Sequence, residues 1–274
     1  MEHLHVQHAE HGLGLTLSGV AAIVLMLCLA VAYLRGVRHL RRAGRRWPRA
    51  RTAAFLTGVG LLAIGASPPL MQAAMADFRL HMLQHLLAGM LAPLGLVLGA
   101  PVCLMLRRLP KKLVLRLSGL LHSAWIGFVA HPCIALLLNV GGLYLLYLTP
   151  LYDAMHASLV LHGLVHVHIV LAGCLFTWSV LDGPDPVPRR HSMRLRLATV
   201  FIAIAAHTLL SKVIYAYGLP GGVHPQEQIE AGAQWMYYGG DVAELLLLIA
   251  MFARRKHTPG AGDFFRDAPA AAST

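Results

Sequence analysis

The sequence predicts an all-α membrane protein, a polytopic bundle of about seven transmembrane helices. Hydrophobic residues make up 57% of the 274 residues and charged residues only 13%, whereas a water-soluble domain carries about 25% charged residues. The mean hydropathy is +0.62. The basic residues behind the formal net charge of +11 stand in short runs between apolar segments. This pattern is typical of loops on one side of a membrane, and it argues against a nucleic-acid partner.

Seven segments are long and apolar enough to cross a bilayer, which takes about 20 helical residues. They are residues 16–34, 53–75, 78–105, 131–149, 158–181, 197–217 and 231–253. Pro68 and Pro69 fall near one end of the second segment, where they should bend or end its helix. The first sixteen residues lack a basic start followed by an apolar core, so we expect no removable signal peptide. Residues 1–257 are therefore interpreted as one transmembrane domain.

The basic residues predict the orientation of the chain. Runs of arginine and lysine follow the first, third, fifth and seventh spans. By the positive-inside rule these four regions are cytoplasmic, which leaves only Arg79 and Lys212 among the lysines and arginines outside them. We therefore expect the N-terminus outside and the C-terminus in the cytoplasm.

Two segments are expected to lie outside the spans. Residues 107–130 mix basic residues with Leu115 and Trp125, which predicts an amphipathic helix on the inner membrane surface. Residues 258–274 are rich in Ala, Pro and Gly and are expected to form a disordered cytoplasmic tail. Asp153, in a short outer turn, is expected to cap the fifth helix.

Two pairs of histidines begin the third and fifth spans. His81 and His85 are spaced i,i+4, as are His162 and His166, so each pair shares one helix face. Both helices run inward from the outside, and at 1.5 Å per residue the pairs lie on the order of 10 Å below the outer surface. Two pairs at one depth could converge on a metal ion.

Copper and zinc suit imidazole ligands, and methionine sulfur would favour Cu(I). Further candidate ligands on the same side are His168, Met71, Met75, Met82 and Met236, together with His3, His5, His8 and His11 of the histidine-rich outer N-terminus, residues 1–15. Haem is the alternative cofactor, because two facing histidines can ligate it axially, and the protein would then be a membrane cytochrome or electron carrier that uses the same histidines. One histidine alone would instead be interpreted as hydrogen-bonded to a neighbouring helix, so the pairing favours a metal or haem site.

An intramembrane polar cluster is predicted deeper in the bundle. It consists of His207 and Lys212 on the sixth span with Asp241 and Glu244 on the seventh. Ionisable residues at such depth cost about 2.5–3.5 kcal/mol each on insertion scales, so Lys212 is expected to pair with Asp241 or Glu244. A structural ion pair and a role in metal transfer or proton movement both remain open. A transporter with an ion pathway through this cluster is a third possible function, after copper binding and haem binding. No inverted repeat supports it.

The sequence offers little sign of enzyme or thiol chemistry. The four cysteines, Cys28, Cys103, Cys133 and Cys174, form no C-x-x-C pair, so neither a redox motif nor a structural zinc motif is present. No residue pattern indicates an activated nucleophile or a paired-carboxylate site. We therefore expect no enzymatic activity.

Several short motifs together resemble one known family. They are His81-Met82-Leu83-Gln84-His85-Leu86-Leu87, Ala92-Pro93, Leu98-Gly99-Ala100-Pro101, His131-Pro132, Pro150-Leu151-Tyr152-Asp153, the His162/His166 pair leading to Trp178, and Gly232-Ala233-Gln234-Trp235-Met236. Spread over about residues 78 to 253, they resemble the multi-span CtaG-like (caa-type) family of cytochrome c oxidase assembly factors. The unrelated single-span copper chaperone of similar name uses a cysteine motif that this chain lacks.

The resemblance implies a factor of the bacterial inner membrane that helps mature a haem–copper oxidase. It would be a metallochaperone that delivers copper to the copper-B site of the oxidase catalytic subunit, with periplasmic copper chaperones as further partners. Carried over by residue, it points to His81, His85, His162 and His166. The glycines Gly239 and Gly240 next to Asp241 look like a subgroup feature without an assigned role.

Overall fold

The computed structural model describes the backbone of residues 2–181, 185–186 and 191–255, and the side chains of residues 13–181, 185–186 and 191–254. Within these ranges the regular structure is helical, with no strand. The helices are α1 (Glu2–Arg42), α2 (Arg49–Gly65), α3 (Pro68–Ala76), α4 (Phe78–His85), the π-helix π1 (Leu86–Leu91), α5 (Ala92–Leu98), α6 (Pro101–Leu106), α7 (Lys111–Leu121), α8 (Ala124–Val129), α9 (Pro132–Leu148), α10 (Leu151–Ala157), α11 (Leu159–Val180), α12 (Met193–Tyr217) and α13 (Gln226–Arg255).

The predicted all-α membrane fold is confirmed. Five continuous segments are long and apolar enough to span a bilayer: Leu13–Arg42, Phe78–Leu106, Leu159–Val180, Met193–Tyr217 and Gln226–Arg254. Two bent pairs, α2 with α3 at 53° and α9 with α10 at 79°, bring the number to seven if each pair is one span. The seven predicted spans thus match five continuous segments and two bent pairs, and the structure supports five to seven spans.

Prolines cause both bends. Pro68 starts α3, and the residue before it, Ser67, takes an extended conformation with ψ 138°, because a following proline disfavours helical geometry. The bend expected at Pro68 and Pro69 is thus confirmed. Thr149 is extended in the same way before Pro150. The expected Asp153 cap is wrong: Ser158 caps α11 by accepting the N–H of Leu161, and Asp153 lies in the first turn of α10.

The third span runs through the centre of the bundle. In an 18-residue apolar stretch of this span, 56% of the residues are buried, against 11% in the corresponding stretch of α1. The backbone widens from α-helix to π-helix just after His85. Pro93 has no N–H to donate to the carbonyl of Gly89, which removes one α-helical hydrogen bond at this point. Gly173 of α11 lies against that carbonyl, so two spans make a close approach at a π-helical turn, a feature often found at functional sites.

Basic residues from separate loops meet at one end of the bundle, here called the arginine-rich end. The guanidinium groups of Arg51 and Arg107 lie 5.2 Å and 5.9 Å from the ring centroid of Trp47. Trp47 donates a hydrogen bond to the hydroxyl of Tyr33, which donates to the carbonyl of Gly99. The sequence assigned the regions that contain Arg51 and Arg107 to the same side of the membrane, and the two residues do lie at the same end of the bundle. The absolute orientation of the termini stays a prediction.

Asp185 lies at the same end and caps α6. Its carboxylate accepts the N–H of Cys103 at 2.6 Å and that of Val102 at 3.4 Å. Burial raises the pKa of Asp185 to about 6, and the two N–H donors partly oppose this shift. The carboxylate therefore ties the loop after α11 to the end of the third span.

The surface segment predicted at residues 107–130 contains α7 and α8. Neither helix has a buried residue, and Leu115 and Trp125 are 64% and 72% exposed. Both helices therefore lie outside the bundle core, and their contact with the membrane surface stays a prediction. Residues 258–274 lie outside the described residues.

Candidate functional site

His81 belongs to an interlocked group that we call the histidine–tyrosine layer, defined by His81, Tyr147, Tyr152, His156 and His224. Nε2 of His81 and the hydroxyl of Tyr147 form a 3.1 Å hydrogen bond. The hydroxyl of Tyr152 and Nε2 of His224 form another at 2.9 Å. His156 packs against Tyr152 with ring centroids 4.3 Å apart. Polar atoms in this layer are thus largely satisfied by one another.

The layer packs against Phe78, whose side chain is fully buried. The ring of Phe78 lies 5.9 Å from His81, 6.3 Å from Tyr147 and 6.0 Å from Tyr152, measured between centroids. Burial lowers the pKa of His224, which lies in the loop between α12 and α13. The layer therefore combines close aromatic packing with a His224 imidazole that is harder to protonate than a free one.

Sequence reasoning missed His156 and His224. His156 falls in the short helix α10 after the Pro150 bend, outside any i,i+4 histidine pair, and His224 falls in a loop. The sequence did offer one signal for them: the chain has 17 histidines, and these two fall on the same predicted side of the membrane as His81. Only the bend between α9 and α10 brings His156 to this layer.

His162 and His166 are adjacent, as their spacing predicted. Their rings stack with centroids 4.3 Å apart and planes 22° apart. Nδ1 of His166 lies 2.9 Å from the carbonyl oxygen of His162. Because a carbonyl can only accept, Nδ1 carries the hydrogen, and Nε2 keeps the lone pair that a metal would need.

His85 turns away from the layer into a second group that we call the deep polar cavity, lined by His85, His207, Glu244, Asn139 and Thr177 among apolar residues. The cavity volume is about 50 Å³. The rings of His85 and His207 lie 6.0 Å apart between centroids, and Nδ1 of His207 lies 3.8 Å from Oε1 of Glu244. This cavity lies one helical turn from the layer along α4.

Several polar atoms of the deep polar cavity have no hydrogen-bond partner within the described part of the chain. They are Nδ1 and Nε2 of His85, Nε2 of His207 and Oε2 of Glu244. The three side chains are 6%, 3% and 7% exposed. Buried polar atoms without partners are rare in proteins and indicate a site for a ligand, an ion or water.

Gly240, one of the two adjacent glycines on α13, leaves room for the ring of His207. A Cβ at this position would lie 2.7 Å from Nδ1 of His207. A Cβ at Gly239 would meet the side chain of Leu86, in the π-helix. The two glycines therefore let α13 approach the third and sixth spans closely enough to close the deep polar cavity.

The further candidate ligands lie in different places. Met82 and Met236 are fully buried in the apolar core, with Sδ of Met82 at 3.9 Å from the hydroxyl of Tyr147. His168 is exposed and its Nε2 bonds to the carbonyl of Leu138 at 3.1 Å, away from the layer. Of the other methionines, Met71 is buried and Met75 partly buried. The side chains of His3, His5, His8 and His11 lie outside the described residues.

The ion pair expected for Lys212 is not formed among the described side chains. Its ammonium lies 5.7 Å from the ring centroid of Tyr237, and Glu244 faces His207 instead. Lys212 and Asp241 are both exposed, whereas Glu244 is buried. Lys212 thus lies on the surface of the bundle, whereas Glu244 lies inside it. Arg79, the other basic residue outside the four basic runs, pairs with Asp77, and its hydrogen bond lowers the pKa of that carboxyl.

Across the described residues, no group of three or more His, Cys, Asp or Glu side chains is arranged to hold one metal ion. His81, His85, His162 and His166 thus do not form a ready-made metal site in this arrangement, and their joint binding of a metal stays a prediction.

Comparisons with known proteins identify similar sequences. Residues 31–256 match the family model described as cytochrome c oxidase caa3 assembly factor (Caa3_CtaG). An uncharacterized protein of Mycobacterium leprae (strain TN) is 35% identical over 202 residues, which cover 70% of this chain and 29% of that protein. An uncharacterized protein of Mycobacterium bovis is 36% identical over 199 residues, with the same two shares. The chain thus spans less than a third of these relatives. No solved structure matches.

Proposed function

Because the chain belongs to the cytochrome c oxidase caa3 assembly factor family, we propose that it is a non-enzymatic copper carrier of the bacterial inner membrane. Its cargo is Cu(I), which it binds through His81, His85, His162 and His166 and helps deliver to the copper-B site of the oxidase catalytic subunit. Periplasmic copper chaperones are the proposed donors.

The observation that carries this proposal is the environment of His85. Both of its ring nitrogens are buried and lack a hydrogen-bond partner in the described structure. Leaving such groups unsatisfied costs about 1–3 kcal/mol each, and a conformation that bears this cost is typical of a binding site. Imidazole nitrogen is a good ligand for copper.

The tautomer of His166 gives a second argument. Its Nδ1–H bonds to the backbone, which orients the ring and leaves the lone pair on Nε2, as in many metal-bound histidines. Fully buried Met82 adds a soft sulfur on the same helix as His81 and His85. A carrier also benefits from few simultaneous ligands, because it must release its metal.

Haem, the alternative ligand, is less well supported. The two axial histidines of a haem lie on opposite faces of the macrocycle. His162 and His166 instead stack directly on each other along one helix, with ring centroids 4.3 Å apart. The space between His85 and His207 is a cavity of about 50 Å³, which is much smaller than a porphyrin.

The test is metal analysis with a visible spectrum on detergent-purified protein loaded with Cu(I) under anaerobic conditions. Wild type is compared with His85→Ala, with His162→Ala, and with His168→Ala as the matched control, because His168 bonds to Leu138 away from the site. We expect about one copper per chain in wild type and control, and loss of most of it in the other two variants.

Two results would contradict the proposal. A Soret band in the purified protein would favour a haem-binding cytochrome. Copper that stays bound in both His85→Ala and His162→Ala would exclude these histidines as ligands. A second readout is the copper-B content of oxidase matured in cells that carry each variant, which should fall for the two site variants and not for His168→Ala.

A further inference from the structure

Lys212 of α12 and Asp241 of α13 are charged residues within spanning segments, and both are exposed on the surface of the bundle. Neither forms an ion pair within the part of the chain that the structure describes. Charged residues within membrane spans usually face the bundle interior, where they find partners. An opposite pair of charges on the outer surface of two packed spans therefore indicates that this surface does not face lipid.

Several polar side chains also lie near Lys212. An open groove between α12 and α13 is lined by Ser211, Lys212, Tyr215, Ala233, Gln234, Tyr237 and Tyr238. Tyr238 is 67% exposed and Tyr215 44%. Hydroxyl and amide groups are poorly suited to contact with lipid hydrocarbon. Together with Asp241, we call the residues of this groove the polar face.

The two charges lie at similar depth. His207 meets Glu244 and Lys212 meets Tyr237, so α12 and α13 run antiparallel and Asp241 lies one turn beyond Tyr237, about 6 Å along the axis. Side chains lean toward the N-terminus of their own helix. In antiparallel helices, Lys212 therefore leans toward the level of Asp241, and Asp241 leans toward the level of Lys212.

We propose that the polar face is the interface of a symmetric dimer, with a second copy of this chain as its occupant. A two-fold axis along the bilayer normal places Lys212 opposite Asp241 of the partner subunit, and the same contact occurs twice. An isologous interface must be self-complementary in this way. A lipid phosphate or an acidic helix would neutralise Lys212 and leave Asp241 unpaired, whereas a second copy neutralises both.

This inference does not depend on copper binding, since neither Lys212 nor Asp241 belongs to the proposed metal ligands. The dimer places the histidine sites of two copies on either side of one interface. Its failure would leave the copper proposal unchanged, and the reverse also holds.

The experiment expresses two differently tagged copies of the chain together, recovers them in lipid nanodiscs and measures whether they co-purify. The charges at positions 212 and 241 are reversed in one or both copies. Wild-type copies should co-purify. The variants K212D and D241K should each lose at least tenfold in self-association, because each homodimer then places like charges together. Copies of K212D expressed with copies of D241K should pair again, since both variants together restore a contact of opposite sign. E227K, an exposed charge change outside the polar face on α13, is the matched control and should pair as wild type does.

The same charge reversals also distinguish a dimer from an ion pair within one chain. Recovery of pairing in the mixture demonstrates that both variants fold. If wild type does not co-purify, or if K212D and D241K do not pair with each other, the dimer is excluded. If the double variant K212D/D241K restores thermal stability lost in the single variants while self-association never changes, the two charges pair within one chain instead.

Discussion

His81 and His85 lie one turn apart on α4 and are both buried, but they occupy opposite kinds of environment. In the histidine–tyrosine layer, His81 has Tyr147 as a hydrogen-bond partner and several aromatic rings around it. In the deep polar cavity, His85 has no hydrogen-bond partner for either nitrogen among the described residues. The difference is between a histidine that is hydrogen-bonded to another span in this structure and one whose two ring nitrogens both lack a partner within the described part of the chain. Substitutions in the two regions test that difference.

The largest effect is expected from Phe78→Ala, in the layer. The side chain is fully buried and contacts several rings of the layer, so its removal should cost about 3–5 kcal/mol of unfolding free energy. Denaturant-induced unfolding in detergent micelles measures this. Phe128→Ala is the control, because Phe128 is 55% exposed on α8. Equal losses for both variants would mean that the layer is not a tightly packed core.

A smaller loss is expected from Gly240→Ala, at the deep polar cavity. The new Cβ would lie 2.7 Å from Nδ1 of His207, and overpacking of this kind costs about 1–3 kcal/mol. Gly60→Ala is the matched control, because a Cβ there has no atom within 4 Å and alanine favours the helix. The melting temperature should therefore fall for the first variant and stay level or rise for the second. An unchanged melting temperature in Gly240→Ala would show that α13 does not close on His207.

Replacing each histidine of α4 by phenylalanine compares the two environments directly. His81→Phe removes the partner of Tyr147 and should cost about 1–2 kcal/mol in metal-free protein. His85→Phe removes two unsatisfied nitrogens next to a cavity of about 50 Å³, so its stability should stay within about 1 kcal/mol of wild type or rise. Unfolding of the two variants in parallel gives the answer. A larger loss for His85→Phe than for His81→Phe would reverse the assignment of the two histidines.

The smallest effect is a pH dependence that belongs to the layer. Burial lowers the pKa of His224 in the folded protein, so unfolding releases an imidazole that takes up a proton more readily. This contribution to stability is present above the unfolded pKa of about 6.5 and is lost as the pH falls below it. Melting temperatures measured from pH 7.5 to pH 5 should therefore decline more steeply for wild type than for His224→Gln. Parallel curves for the two proteins would mean that His224 does not titrate with folding.

Parts of the site follow from sequence spacing. An i,i+4 separation within one helix predicts adjacent rings, and His162 and His166 do stack. The same rule predicts a shared face for His81 and His85, but their partners come from other spans, Tyr147 from α9 and His207 from α12. Spacing within one helix carries no information about those neighbours. The ion pair expected between Lys212 and Glu244 is not formed, because Glu244 faces His207 across the helix contact. Spacing within one helix does not reveal this neighbour either.

The sequence by itself determined the membrane-spanning helical class, the approximate spans, the Pro68 bend and the family, because apolar length, proline chemistry and motif spacing are local properties of the chain. The tertiary structure alone decided that His85 and His207 share a cavity, that His156 and His224 complete a layer around His81, and that Lys212 and Asp241 lie on an outer surface. These relations depend on helix rotation and on close approach at Gly173 and Gly240. Such packing arises from contacts between distant segments, which a hydropathy or spacing pattern does not record.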